Sequence, residues 1–330
     1  HLFGGKGNLK SEYQLKNGKR EGSGTLFWKS GTKELDSNWK NGKRDGLQTS
    51  WYESGKKSGE SQWKDDEQSG LFTSWYESGN KWGDCYYVNG TLDGLLTKWH
   101  ESGKKMLEVN FKNGKEEGLE TTWYESGGKW KEDYYKSGLS DGLATRWSEN
   151  GAKTGEIHFM NGKQEGLATV YHESGGKKEE SCYREGKEHG LTTGWDEDGN
   201  KTYELNFVDG KQEGKSVGYY ESGKVEIEKN YVNGKREDKW VWYYESGKVK
   251  NEGNFVDDKH EGKWVGYFES GKVKNEGNLK EGKEEGAWVE YYENGKVEIE
   301  KNYVNGKEEG KWVEYYENGK VWVEGNFVNG

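Results

Sequence analysis

Residues 46–70 read GLQTSWYESGKKSGESQWKDDEQSG, and this stretch contains one complete structural unit. Apolar and polar residues alternate from Leu47 to Tyr52, which is the period-2 pattern of a half-buried strand. Glu-Ser-Gly-Lys follows, a sequence that tolerates the positive φ of a tight hairpin turn. A second strand runs to Trp63, and a longer turn leads into Gly70. The stretch therefore predicts one β-hairpin.

The hairpin pattern recurs every 24 residues along the whole chain. A glycine stands at the same place in each unit from Gly7 through Gly319, fourteen times without a miss. A fixed period of this size is typical of a repeat array, in which each unit contacts mainly its neighbours. We therefore expect an all-β fold, an elongated antiparallel β-meander of successive 24-residue hairpins in one open single-sheet rod.

We call a position that recurs every 24 residues a column. Two aromatic columns, represented by Trp51 and Trp63, are expected to form the core of the repeats. A two-residue first turn would place the two columns on opposite faces of the sheet. A three-residue turn with a bulge at Gly55 would collect both columns and Thr49 on one face and leave the acidic Glu60 on the other. We favour the three-residue turn, because it brings the rings together. The residues predicted to build the repeat core are Phe27, Trp39, Trp51, Trp63, Trp75, Trp99, Trp123, Trp147, Trp195, Tyr291 and Tyr315.

The composition is polar but rich in aromatic residues. Only 29% of the residues are hydrophobic and 33% are charged, which alone would predict a disordered chain. Aromatic residues make up 15% and keep their register, so large rings can supply a thin core. The net charge of −10, without a separate basic run, excludes nucleic acid as an expected partner. No apolar stretch approaches the roughly 20 residues of a membrane-spanning helix.

The turn and strand residues resemble the MORN repeat, in the 24-residue variant of the bacterial YwqK-like proteins. The resemblance lies in Asn-Gly-Lys-x-x-Gly followed by an aromatic pair, then Glu-Asn-Gly-Lys and Glu-Gly-Asn-Tyr/Phe, and is strongest at 283–302 and 307–330. It implies elongated antiparallel sheets of hairpins and a role in scaffolding or protein association. YwqK-like members are often labelled antitoxins, and some MORN proteins are credited with lipid binding. No residue motif carries those activities to this chain.

No group of residues stands out as catalytic. His100 and His172 share a column three units apart, which is too far for a shared metal ion, and replace tyrosine. Acid pairs such as Glu116 and Glu117 recur throughout and single out no general acid or base. Glycine-rich segments lead into strands and not helices, unlike phosphate-binding loops. We predict that the chain is not an enzyme and has no catalytic residues, cofactor or metal.

Residues 1–330 are predicted to form one continuous array with two subarrays, 1–213 and 214–330. The first carries Gly-Leu-x-Thr-x-Trp-Tyr, and the second carries Lys-Trp-Val-x-Tyr-Tyr. The unbroken period leaves no room for a linker between them. The sequence leaves the compartment open and favours the cell surface or the extracellular medium over the cytoplasm.

The open edges of the sheet suggest a function. Edge strands pair with other chains unless they are blocked. We expect a non-enzymatic scaffold that assembles head to tail into a homopolymeric filament, with simple truncation of a longer array as the equal alternative for the ends. The runner-up is a YwqK-like, antitoxin-type binding module that holds an unidentified protein on one face, with an exposed column of tyrosines, represented by Tyr52, as its contact strip. The residues assigned to the assembly edge are His1, Leu2, Phe3, Asn326, Phe327 and Val328.

Overall fold

A computed structural model describes residues 2–3 and 9–328 of the chain. Every regular element in these residues is a β-strand. The chain divides into two compact units, His1–Gln164 and Glu165–Gly330. In each unit the strands pair antiparallel with their neighbours along the chain, which confirms the all-β meander of hairpins. The division into subarrays at residues 213 and 214 stays a prediction.

The strands of the first unit belong to successive hairpins. Several strands are interrupted near their start, so a two-residue strand precedes a longer one. Their bounds are Leu2–Phe3, Leu9–Lys16, Lys19–Phe27, Lys33–Lys40, Lys43–Trp51, Lys57–Lys64, Glu67–Gln68, Gly70–Trp75, Lys81–Val88, Thr91–Leu92, Gly94–Trp99, Lys105–Lys112, Lys115–Trp123, Lys129–Lys136, Leu139–Ser140, Gly142–Trp147 and Lys153–Met160.

The second unit repeats the same alternation of strands and turns. Its first strand begins two residues before the boundary. The bounds are Lys163–Tyr171, Lys177–Arg184, Lys187–Glu188, Gly190–Trp195, Lys201–Val208, Lys211–Gln212, Gly214–Tyr219, Val225–Val232, Lys235–Arg236, Asp238–Tyr243, Val249–Val256, Lys259–Tyr267, Val273–Lys280, Lys283–Tyr291, Val297–Val304, Lys307–Glu308, Gly310–Tyr315 and Val321–Phe327.

The first turn of the hairpin is the three-residue turn that the sequence favoured. The Tyr52 N–H donates to the Lys56 carbonyl and the Gly55 N–H donates to the Tyr52 carbonyl, both at 2.9 Å. Gly55 has φ of 84°, a left-handed conformation that costs glycine little. The second turn is shorter than predicted: Asp65 and Asp66 both have positive φ and form a two-residue turn.

The predicted assignment of residues to the two faces is wrong. Thr49 pairs with Glu60 and Ser50 pairs with Gly59, whereas Trp51 pairs with Lys57, because the chain forms a second bulge there. Paired residues project from the same face, so this bulge moves Glu60 to the face of Thr49 and Trp51. The Trp63 column lies on the opposite face.

We name the two faces by their residues. The acid face carries Thr49, Trp51, Lys57, Glu60 and their equivalents in other repeats. The core face carries Ser50, Gly59, Ser61, Trp63 and their equivalents.

The buried interior of each unit is thin and is made largely of small side chains. In the first unit Val109 is 2% exposed and Ala144 is 3% exposed. In the second unit Phe255 is 1% exposed and Trp240 is 6% exposed, and both are large exceptions. The aromatic residues predicted as the repeat core, from Phe27 to Tyr315, are half-buried.

Candidate interaction surfaces

In many hairpins the side chain of the residue that opens the first turn bonds to the next hairpin. The Tyr52 hydroxyl donates to the Trp75 carbonyl at 2.7 Å, and the Tyr244 hydroxyl donates to the Tyr267 carbonyl at 2.7 Å. These tyrosines are half-buried and not exposed as predicted, so they are a poor contact strip. The same bond is made by Tyr76, Tyr124, Tyr220 and Tyr292.

Two histidines take over this bond where tyrosine is replaced. His100 Nε2 lies 3.1 Å from the Trp123 carbonyl oxygen, and His172 Nε2 lies 2.9 Å from the Trp195 carbonyl oxygen. Each imidazole therefore bonds to the next hairpin, as a tyrosine hydroxyl does at the equivalent position. The two histidines are structural replacements at equivalent positions.

Acidic residues join the hairpins at the second turn. The Glu21 carboxylate accepts the Asn41 N–H at 2.7 Å, and the Glu117 carboxylate accepts the Ser137 N–H at 2.8 Å. These carboxylates satisfy turn N–H groups that have no partner inside their own hairpin. The acid pairs that recur at this turn thus have a structural use.

The acid column of the acid face has a lysine and tryptophan environment in the first unit. Lys57 Nζ lies 2.6 Å from the Glu60 carboxylate and 5.3 Å from the centre of the Trp75 ring. Lys81 repeats the arrangement with Asp84 at 2.8 Å and Trp99 at 5.2 Å. These pairs are partly exposed to solvent, so each contributes only a few tenths of a kcal/mol up to about 1 kcal/mol.

The acid column has a different environment toward the end of the second unit. Glu252 accepts the Tyr267 hydroxyl at 2.9 Å and pairs with Lys239 at 2.7 Å. The bond from Lys239 and then that from Tyr267 hold the pKa of Glu252 below its ordinary value. Burial and the neighbouring Glu204 raise the pKa of Tyr219 to about 12. Valine replaces the lysine that earlier repeats carry three residues before the acid.

Large and small side chains complement each other on the core face of the second unit. A Cβ atom added to Gly253 would lie 2.5 Å from Trp264, and one added to Gly325 would lie 2.5 Å from Trp312. Neither position accepts a larger residue without movement of a ring. The glycines of this column therefore make space for tryptophan.

A cluster of four charged side chains, the ion quartet, lies on the core face of the first unit. Lys131 Nζ lies 2.6 Å from Glu120 and 3.1 Å from Asp133, and Arg146 makes a bidentate contact with Asp133. The Asp133 side chain is only 7% exposed. The hydrogen bonds to Glu120 and Asp133 raise the pKa of Lys131 despite its burial. Two positive and two negative charges balance, so the quartet is satisfied internally.

His260 is held among aromatic rings on the core face of the second unit. Its ring centre lies 3.9 Å from that of Phe255 and 5.0 Å from that of Trp264. Nδ1 has no hydrogen-bond partner among the described residues. Burial, and then the positive charge of Arg236, lowers the pKa of His260.

A line of apolar side chains is exposed on the acid face of the first unit. Each member occupies the position of Leu47 or of its cross-strand partner Gln62. We name this line the leucine row. Its members and exposed fractions are Leu47 38%, Leu71 52%, Tyr86 46%, Leu95 46%, Leu119 37% and Tyr134 48%.

The residues predicted as an assembly edge lie partly within the described chain. Leu2 pairs with Ser11 and Phe3 pairs with Leu9, whereas His1 lies outside the described residues. Asn326 pairs with Lys311, and Phe327 pairs with Gly310. Val328 follows the last strand and is 72% exposed.

The described residues contain neither a metal-ligand group nor a membrane-spanning helix. No three or more His, Cys, Asp or Glu side chains within residues 2–3 and 9–328 are grouped as metal ligands would be. The same residues contain no helix long and apolar enough to cross a membrane.

This chain is distantly similar to solved structures. The crystal structure of TcdB2-TccC3-TEV matches at 12% identity and a TM-score of 0.16, over 99% of this chain and 20% of that chain. The structure of the Photorhabdus luminescens Tc holotoxin pore matches at 11% identity and a TM-score of 0.16, over 96% of this chain and 23% of that chain. This chain thus spans about a fifth of their length. No curated protein matches it.

The profile of the MORN repeat variant matches this chain nine times. Residues 114–163, which include the ion quartet, lie outside the matches but keep the same hairpins. The matched ranges are 44–65, 68–89, 92–113, 164–185, 212–233, 239–257, 261–281, 284–305 and 308–329. Because these ranges cover more than half of its residues, the chain belongs to the MORN repeat variant family.

Proposed function

We propose that this chain is a non-enzymatic structural repeat protein that assembles head to tail into filaments through its edge strands. MORN repeats and an open repeat sheet fit a structural or binding protein. The observation that carries the proposal is the strand Val321–Phe327, which pairs with Gly310–Tyr315 and has no second neighbour among the described residues. Its Val321, Trp322 and Val323 are 50%, 60% and 37% exposed.

Internal repeats support this interpretation of the edge. Glu252 receives the Tyr267 hydroxyl from the following strand, and its side chain is 25% exposed. Glu324 stands at the equivalent position, pairs with Lys311 at 2.8 Å and is 56% exposed. A strand added to this edge would cover Glu324 as the next strand covers Glu252.

The added strand in this proposal comes from a second copy of the chain. The strand Leu2–Phe3 is its first strand and pairs with Leu9–Lys16. Docking of that strand beside Asn326, Phe327 and Val328 is β-augmentation, in which main-chain hydrogen bonds supply the affinity. A heterologous contact of this kind produces rings or open filaments.

The test of this proposal blocks the edge with charge. We would replace Trp322→Lys and Val323→Lys, because charged side chains on an edge strand oppose pairing. Val88→Lys is the matched control, since Val88 is 44% exposed but lies in an internal strand. Sedimentation velocity and electron microscopy should show head-to-tail oligomers for the native chain and the control, and their loss in the edge variant. Filaments, or oligomers larger than a dimer, that persist after the edge is blocked would contradict the proposal.

The second candidate function is a binding module that holds a partner protein on one face. The exposed leucine row favours it, because contiguous apolar patches often mark interaction sites. Purification with a stoichiometric soluble partner, together with absence of self-assembly, would favour this function over the filament.

A further inference from the structure

The leucine row gives an apolar line to a face that is otherwise charged. Leu71 is directly opposite Tyr86, and Leu119 is directly opposite Tyr134. Each pair therefore brings two large side chains together on the acid face. Six side chains in line, each about half exposed, form a patch on the order of 300–600 Å², a size that is often functional on a monomer.

The hairpin itself does not require leucine at these positions. In the second unit, Lys239 and Lys263 occupy the column of Leu71. Lys239 pairs with Glu252 at 2.7 Å, and Lys263 pairs with Glu276 at 2.8 Å. The same hairpin thus forms with a solvated lysine at this position. A contact with another molecule therefore explains the exposed leucines better than a requirement of folding does.

The two flanks of the leucine row differ in charge. On one flank stands the acid column, with Asp84 and Glu108 each bound by a lysine. On the other flank stand Lys64, Lys112 and Lys136, which form no ion pair with any described residue. A partner that matches this surface has an apolar line with acids beside it on the lysine side.

We propose that the leucine row binds the same row of a second copy, with the two sheets packed face to face. The row repeats every two strands, or about 9.6 Å, and an identical row has the same spacing along its whole length. A two-fold axis along the row lays the lysine flank of each copy over the acid flank of the other. A standard interface buries roughly 800 Å² per partner, so a stable dimer buries both flanks together with the row.

The experiment uses the full chain with the edge blocked by Trp322→Lys and Val323→Lys, so that head-to-tail association does not contribute. Sedimentation equilibrium up to about 100 μM, well above the Kd of a stable dimer, should detect dimers. Adding Leu71→Lys and Leu95→Lys, which copy the natural Lys239 and Lys263, should weaken dimerisation at least tenfold. Far-UV circular dichroism confirms that each variant keeps its strands.

A second variant tests the same surface independently, so that misfolding of the first variant does not decide the result. Tyr86→Asn with Tyr134→Asn copies Asn110, the natural residue of that column, and should weaken the dimer in the same way. The inference is overturned if the edge-blocked chain stays monomeric, binds a different protein through the row without self-association, or dimerises equally well after both sets of substitutions. Filament loss on edge blocking is measured separately, so failure of one proposal does not decide the other.

Discussion

Small hydroxyl-bearing and branched side chains occupy a buried column of the acid face. Thr97 is 6% exposed and Thr121 is 7% exposed, whereas Val265 and Val313 occupy the same column at 7% and 5%. Threonine and valine have nearly the same shape, so this column keeps its packing when the hydroxyl is absent. Valine replaces threonine in the same part of the chain in which the acid column changes its hydrogen-bond partners.

The tyrosine hydroxyls of the first turn should contribute measurably to stability. Tyr244→Phe removes the bond to the Tyr267 carbonyl and leaves that carbonyl without this donor. We expect the free energy of unfolding to fall by about 1 kcal/mol, the usual net value of such a bond. Urea denaturation measures it. Tyr316→Phe is the control and should cost almost nothing, since Tyr316 is 51% exposed and its hydroxyl donates to no described residue.

His260 should make the second unit less stable in mild acid. Because burial lowers its pKa in the folded state, the unfolded chain binds a proton first as pH falls below about 6.5. The stability contribution is constant above that value and is lost progressively down to the folded pKa. Urea unfolding at about pH 7.5 and 5.5 should show a larger loss for the native chain than for His260→Phe. His158→Gln, at an exposed position, should behave like the native chain, and equal losses for all three would contradict the expectation.

At the scale of the strand, a one-residue bulge decides which side chains meet. The pairing shifts between Ser50 and Trp51, so Glu60 faces Thr49 and not the opposite side. Every repeat with an observed first strand pair shows the same shift, as between Trp242 and Tyr243. The bulge therefore belongs to the repeat, and it separates the acid face from the core face.

Removal of one member of the ion quartet should destabilise the chain, whereas replacement of all four members by neutral residues should not. Asp133→Ala leaves Lys131 and Arg146 without their shared partner, and we expect a loss of about 3–5 kcal/mol in the free energy of unfolding. A quadruple variant that copies Leu96, Leu107, Val109 and Thr122, the neutral residues one repeat earlier, should be at least as stable as the native chain. Urea denaturation compares the three proteins. A quadruple variant as unstable as Asp133→Ala would contradict this interpretation.

The hairpins could be predicted from sequence because alternation and turn glycines are local signals. The turn at Gly55 followed from residue type. Its three-residue length was chosen to bring both aromatic columns onto one face, and the structure places those columns on opposite faces. The face of Glu60 did not follow, because a bulge at Ser58 leaves no mark in residue type. The ion quartet was missed because its members come from three strands, and pairing had to be known before Asp133 and Arg146 could be placed together. The unbroken threonine column from Thr25 to Thr193 was a usable signal for buried positions.

Considered as a whole, each unit is a series of equivalent hairpins joined at both turns. The Tyr52 hydroxyl of one first turn donates to the next hairpin, and the Asn41 N–H of one second turn donates to the Glu21 carboxylate of the preceding hairpin. Contacts of this kind link nearest neighbours, so stability should be close to a sum over repeats and their interfaces. A repeat can then be removed without disturbing the rest, provided that the columns keep their register.

Deletion of residues 97–120 tests this central claim directly, because it joins Leu96 to Thr121 and keeps every column in register. Deletion of residues 97–108 is the control, since it joins Leu96 to Val109 and breaks the register. We expect the 24-residue deletion to keep the strand signal per residue in far-UV circular dichroism and to unfold in one cooperative transition in urea. The 12-residue deletion should lower that signal and lose the single transition, because it uncouples the repeats on its two sides. Equal behaviour of the two deletions would contradict the account.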